Sequence, residues 1–84
     1  MISEGDEVRI IYSNELCADR LLFLIGQRGY VIKCAISNKS PGVYVVIENG
    51  KNRGEEWYIP LKSIQSAADV NKIRNTAILK SIKL

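Results

Sequence analysis

The chain is most informative at Gly26-Gln27-Arg28-Gly29-Tyr30-Val31, which directly follows the apolar run of residues 21–25. Two glycines three positions apart allow a tight reversal, because glycine adopts backbone conformations that are closed to other residues. The β-branched residues that follow Tyr30 favour a strand. This order predicts a turn that leads into a curved strand, as in a small β-barrel.

Residues 7–12 form the first predicted strand, since their polar and apolar side chains alternate with a period of two. The polar composition of residues 13–20 predicts a long loop or one helical turn. Residues 21–25 carry too many adjacent apolar side chains for a free loop. We expect them to lie across the mouth of the barrel or to form a short strand.

Residues 43–59 predict a β-hairpin, with a strongly β-branched run, the turn pair Asn49-Gly50 and a return strand. Because successive side chains of a strand point to opposite faces, we expect Trp57 and Tyr58 on different faces. Pro60 cannot donate a hydrogen bond to a ladder, so it closes the return strand. A tight turn and a short last strand follow.

Four or five short strands joined by Gly, Pro and Asn turns predict a mainly β fold, a barrel or a sandwich, over residues 1–66. Residues 67–84 form a predicted C-terminal helical appendage, because apolar side chains recur there with helical spacing. Residues 76–84 fit a helix or a strand. We expect this segment to pack on its own domain, with pairing to a second copy as the alternative.

Composition limits the class of protein. A chain of 84 residues with 46% hydrophobic and 25% charged residues is typical of one soluble globular domain. Its longest apolar run is far below the roughly 18–20 residues that cross a bilayer. The acidic N-terminal residues do not resemble a secretory signal. We therefore expect a cytoplasmic protein without a membrane partner.

The sequence contains few residues that could act in catalysis or bind a metal ion. The chain has no histidine, and its two cysteines, Cys17 and Cys34, are far apart in sequence. A structural zinc site needs four nitrogen or sulfur ligands, so we expect no metal and no cofactor. Cys34 lies in an apolar run and is expected to be a small, reduced core residue. Without histidine or a phosphate-binding loop, we expect no enzymatic activity.

The order of Gly5-Asp6, Gly26-x-x-Gly29-x-Val31, a hairpin and Trp57-Tyr58-Ile59-Pro60 resembles the SH3-like barrel group, especially KOW-type modules of ribosomal proteins and transcription-elongation factors. The resemblance covers roughly residues 5–66 and implies an SH3-like five-stranded barrel. It also implies that the backbone at Gly29 turns closely beside a nucleic acid or a partner. The implied function is a non-catalytic module that binds nucleic acid or a protein that handles it.

Charge is segregated along the chain, with −4 over residues 1–19 and +5 over residues 20–54. Such asymmetry favours an electropositive face, and basic side chains beside aromatic ones are typical of nucleic-acid binding. The first hypothesis is therefore binding of RNA or DNA, or of the transcription and translation machinery. Its predicted site residues are Arg28, Tyr30, Lys33, Tyr44, Lys51, Arg53, Trp57 and Tyr58.

The second hypothesis is a protein–protein adaptor or regulatory inhibitor that uses the same aromatic side chains together with Tyr12. Aromatic residues and arginine dominate binding hot spots, so both hypotheses share most of their residues. Salt dependence distinguishes them, because contacts to phosphate weaken steeply as salt rises. In either case we expect a monomer, or a weak homodimer through the C-terminal segment.

Overall fold

The computed structural model describes residues 2–37 and 39–67; the predicted helical appendage therefore lies, apart from Ala67, outside the described residues. The strands are β1 (Glu7–Ile10), β2 (Arg28–Ala35), β3 (Gly42–Ile47), β4 (Glu56–Pro60) and β5 (Ile64–Ser66). One α-helix, α1 (Asn14–Ala18), and two 3₁₀-helices, η1 (Leu22–Leu24) and η2 (Leu61–Ser63), connect them. No helix in the described part of the chain has the length and apolarity to cross a bilayer.

The five strands form one antiparallel sheet in the order β4-β3-β2-β1-β5. The first four strands follow one another as neighbours, and β5 then returns to pair with β1, for example Ile10 with Ile64. Among the described residues β4 and β5 pair with one neighbour each, so the sheet is not closed by hydrogen bonds. The mainly β prediction is confirmed, and the sheet is compatible with a small barrel-like fold.

The core lies on one face of this sheet. Strand alternation in β3 buries Val43, Val45 and Ile47 and turns Tyr44 and Val46 to the opposite face. Burial of each such apolar side chain stabilises the fold by about 1.5–3 kcal/mol before the cost of ordering the chain. The other buried apolar side chains are Val8, Ile10, Leu16, Leu24, Val31 and Ile59.

Gly26 and Gly29 meet different needs. Gly26 has φ +87°, which is the left-handed conformation of a turn residue. Gly29 lies inside β2, where an added Cβ would stand 2.3 Å from the Val46 carbonyl oxygen and 2.5 Å from Val45 Cγ1. The backbone at Gly29 therefore lies close to the chain's own β3, and the absence of a side chain at this position allows β2 to pair with that strand.

The first loop is fixed to the end of the described chain. Ser13 caps α1 by accepting a hydrogen bond from the Leu16 amide at 3.0 Å. The Ser13 and Ser63 hydroxyls lie 2.5 Å apart, and both residues are buried. Cys17 is exposed on α1, whereas Cys34 is half-buried against the core as a free thiol.

Candidate binding surfaces

Seven of the eight predicted site residues fall into two groups, and Tyr30 belongs to neither. Lys33, Tyr44 and Tyr58 are register partners across β2, β3 and β4, on the outer face of the sheet, which is the face opposite the core. We call these three side chains the tyrosine row. The rings of Tyr44 and Tyr58 meet edge to face with centroids 5.0 Å apart. Lys33 Nζ lies 5.9 Å from the Tyr44 centroid, which places a cation over an aromatic ring.

Tyr30 lies on the same outer face in acidic surroundings. Its register partners are Glu7 on β1 and Val46 on β3, and Val46 in turn pairs with Glu56. The negative charge of Glu48, and then that of Glu7, raises the pKa of the Tyr30 phenol, because nearby carboxylates disfavour the phenolate.

Trp57 does not join the tyrosine row. It pairs with Val45 on the core face of the sheet, opposite Tyr58, as its sequence position predicts. Its ring meets the exposed ring of Phe23 at 5.5 Å and 80°. Its indole Nε1 donates a hydrogen bond to Glu55 Oε1 at 3.1 Å. Trp57 therefore connects the sheet to η1 and to the loop between β3 and β4.

The Gln27 side chain also joins η1 to the loop between β3 and β4. Gln27 Nε2 donates to Asn52 Oδ1 at 2.9 Å and to the Phe23 carbonyl oxygen at 3.3 Å. Asn52 Nδ2 donates to Glu55 Oε1 at 2.9 Å. We call the region formed by residues 22–28 and 48–57 the hairpin end. It contains four predicted site residues: Arg28, Lys51, Arg53 and Trp57.

The hairpin end also presents apolar side chains that the sequence analysis left out of the site. Leu22 is 41% exposed, Phe23 54% and Ile25 42%, whereas Leu24 between them is fully buried. The signal was present in the sequence, because a single short turn cannot direct five consecutive apolar side chains into one core. Contiguous exposed apolar side chains mark interaction surfaces.

Basic and acidic residues are balanced in the sheet domain. Residues 1–67 hold eight basic and eight acidic residues, so the sheet domain has no net charge. The chain's +3 comes from residues 68–84, which hold four basic residues and one acidic residue. The hairpin end is balanced as well, with three basic and three acidic residues: Arg28, Lys51 and Arg53 with Glu48, Glu55 and Glu56.

A groove of about 510 Å³ lies elsewhere, between α1, the turn before β3 and the end of β4. Tyr58 is the one predicted site residue that lines it, and its hydroxyl donates to the Ser40 carbonyl oxygen. Lys62 and Glu15 form an ion pair at 3.5 Å on its rim. A backbone hydrogen bond, and then the charge of Lys62, lowers the pKa of Glu15.

Within the described ranges, no three His, Cys, Asp or Glu side chains gather in a way that could hold a metal ion. Comparisons of the chain with protein families, with curated proteins and with solved structures gave no match. The two candidate binding surfaces of the described chain are the hairpin end and the tyrosine row.

Proposed function

We propose that this chain is a non-catalytic binding module and that a partner protein docks on its hairpin end. The observation that carries the proposal is the exposure of Leu22, Phe23 and Ile25, at 41–54%, beside the Phe23–Trp57 contact. Leaving such side chains in water forgoes about 25 cal/mol for each Å² that a partner would cover. Buried aromatic side chains are also the usual hot spots of protein interfaces.

The charges around this patch indicate the chemistry of the partner. Arg28, Lys51 and Arg53 are exposed at the hairpin end. Of its three carboxylates, Glu55 accepts hydrogen bonds from Trp57 and Asn52, Glu48 is half-buried, and Glu56 lies on the outer face as the register partner of Val46. Complementary charge steers partners together and selects among them. The proposed partner therefore presents apolar side chains flanked by carboxylates.

The strand order and the short 3₁₀ turn between β4 and β5 support the resemblance to SH3-like barrels, and we include that kinship in the proposal. The likeness to KOW-type modules extends it to a partner class, a protein of the transcription or translation machinery. SH3-like folds host many unrelated functions, so this extension depends on the resemblance alone.

Direct binding of nucleic acid is the second candidate, and the tyrosine row carries it. A cation over Tyr44 beside a second tyrosine combines the two groups that bind single-stranded nucleic acid, stacking rings and basic side chains. The carboxylates of Glu7, Glu48 and Glu56 on the same face weaken this candidate relative to the first.

The test is affinity capture by the tagged full chain from nuclease-treated lysate, followed by titration of the purified captured protein against Trp57 fluorescence. Trp57 is the chain's single tryptophan. We expect Phe23→Ser to weaken binding by roughly thirtyfold, the effect of losing a hot spot of about 2 kcal/mol. Lys33→Gln is the matched control on the tyrosine row and should bind like the parent chain.

Two results would overturn the proposal. Equal affinity of Phe23→Ser and the parent chain would remove the hairpin end as the docking surface. Loss of capture after nuclease treatment, together with loss in Lys33→Gln, would instead support the nucleic-acid candidate. Amide NMR spectra of both variants check that each keeps the parent fold.

A further inference from the structure

Two arginines face each other on the outer face of the sheet. Arg9 on β1 is the register partner of Arg28 on β2, and both are exposed. The Ile10 amide donates to the Gln27 carbonyl oxygen at 2.9 Å, so the adjacent pair is hydrogen-bonded. Hydrogen-bonded and non-hydrogen-bonded residue pairs alternate along two antiparallel strands. Arg9 and Arg28 therefore form a non-hydrogen-bonded pair, in which the Cα atoms approach to about 4.5 Å. On the other side of Arg9, Gln65 contributes an uncharged amide.

Like charges directly opposite each other destabilise a sheet. Within the part of the chain that the structure describes, neither arginine has a carboxylate at ion-pair distance; the ion pair found there joins Lys62 and Glu15. The arginine pair, meaning Arg9 and Arg28, therefore retains its mutual repulsion.

Two carboxylates lie near the arginine pair, Glu48 and Glu7. Glu48 directly follows β3 and lies opposite Arg28, and its amide donates to the Arg28 carbonyl oxygen at 2.9 Å. Glu7 precedes Arg9 by two residues and pairs with Tyr30. Both raise the pKa of the Tyr30 phenol, and Glu48 Oε2 is buried with no hydrogen-bond partner among the described residues. Neither carboxylate lies within ion-pair distance of Arg9 or Arg28.

We propose that Arg9 and Arg28 together bind a phosphate monoester. Each guanidinium offers a fork of N–H donors that matches phosphate oxygens. A phosphate monoester carries a charge of about −1.5 to −2 at neutral pH, which matches two arginines better than the single charge of a carboxylate or a phosphodiester. The inference goes beyond the proposed function, because it does not depend on a protein docking at the hairpin end.

The chemistry fits a phosphorylated side chain or a free nucleoside monophosphate, and the test separates the two sources. The ¹⁵N-labelled full chain is titrated with phosphoserine and with a 5′-mononucleotide, against chloride at matched ionic strength. We expect saturating shifts at the amides of Arg9 and Arg28. Tighter binding of phosphoserine assigns the site to phosphorylated protein, and tighter binding of the mononucleotide assigns it to nucleotide; both support the proposal.

Variants locate the site. Arg9→Gln and Arg28→Gln should each weaken binding about tenfold, since each removes one charged hydrogen-bonding partner. Lys51→Gln and Lys33→Gln, which remove basic charges elsewhere, should leave the affinity within about twofold by the same reasoning. Shifts that rise linearly without saturation, or equal weakening in all four variants, would overturn the proposal.

A stability measurement separates loss of the site from loss of the fold. Because removing one arginine relieves repulsion, Arg9→Gln without phosphate should unfold at a midpoint no lower than that of the parent chain. Added phosphoserine should raise the midpoint of the parent chain and not that of Arg9→Gln, since a ligand of the native state stabilises it. An equal rise in both proteins would overturn the proposal.

Discussion

Strand β3 and the segment around η1 both come from runs of five consecutive apolar residues, 43–47 and 21–25. In the first run Val43, Val45 and Ile47 are at most 1% exposed, and the alternation of the strand turns the other two side chains outward. In the second run only Leu24 is fully buried. Equal hydrophobicity thus has different outcomes, because backbone geometry decides how many side chains one core can receive.

This difference between the two runs shows which part of the chain leaves apolar surface exposed to other molecules. A strand in the middle of the sheet is covered by two neighbours and by the core, whereas η1 places one residue, Leu24, in the core and leaves Leu22 and Phe23 exposed. A domain of this size buries only about 60–65% of its unfolded surface. Of the seven large apolar side chains left exposed among the described residues, three lie at the hairpin end: Leu22, Phe23 and Ile25.

The largest expected effect on stability concerns Gly29, where β2 approaches β3 closely. Gly29→Ala places a Cβ against the β3 backbone, and we expect it to lower the free energy of unfolding by about 4 kcal/mol or more. Gly50→Ala is the matched control, since open space surrounds that position and only its φ of +86° adds strain, about 1–2 kcal/mol. Urea unfolding followed by circular dichroism measures both. Equal losses would disprove the close approach of β2 to β3.

A smaller effect on stability distinguishes the buried leucine from the exposed leucine of residues 21–25. Leu24→Ala should lower the free energy of unfolding by about 2–5 kcal/mol, because it opens a cavity in the core. Leu22→Ala removes the same atoms from an exposed position and should cost less than about 1 kcal/mol. If chemical denaturation gives the two variants the same stability, η1 does not present one buried and one exposed leucine.

The smallest effect lies outside both apolar runs, at Glu15. The pKa of this carboxyl is lowered by a backbone hydrogen bond and then by Lys62. A depressed pKa in the folded state contributes stability above the ordinary value of 4.5, and that stability is lost as pH falls through the folded value. Glu15→Gln should therefore be less stable than the parent chain at neutral pH and equal to it in acid.

Urea midpoints of Glu15→Gln and the parent chain across this pH range measure the difference. Lys62→Gln is the control and should keep most of the pH dependence, because the backbone hydrogen bond is the larger cause. A gap between Glu15→Gln and the parent chain that widens on acidification would show that the assigned sign is wrong.

The sequence predicts the strands well because their signals are local. Alternation in β1 and β3, and Pro60 at the end of β4, are visible without knowledge of neighbouring segments. For residues 21–25 the alternative of a short strand is wrong, because Leu22–Leu24 form the 3₁₀-helix η1. The exposure of their side chains is not predicted, because it depends on which distant residues cover them.

The grouping of the site residues depends on a feature that local patterns do not reveal. The register between β2 and β3 shifts between Val31 and Lys33, so Ile32 is an extra residue in β2. Unbroken alternation would put Lys33 on the core face with Val31; the bulge turns it outward to Tyr44 instead. Likewise, the separation of Trp57 from Tyr58 follows from alternation, whereas the contact of Trp57 with Phe23 requires the folded chain.

The hydroxyl contact between Ser13 and Ser63 also bears on when the chain can fold during its synthesis. A ribosome releases β1 and α1 first, yet β1 pairs with β5 and the Ser13 hydroxyl lies against that of Ser63. Nascent chains that end before residue 63 therefore leave one edge of β1 unpaired, and an unpaired strand edge favours aggregation. Release of the last described strand from the ribosome is therefore the step that completes the pairing of β1.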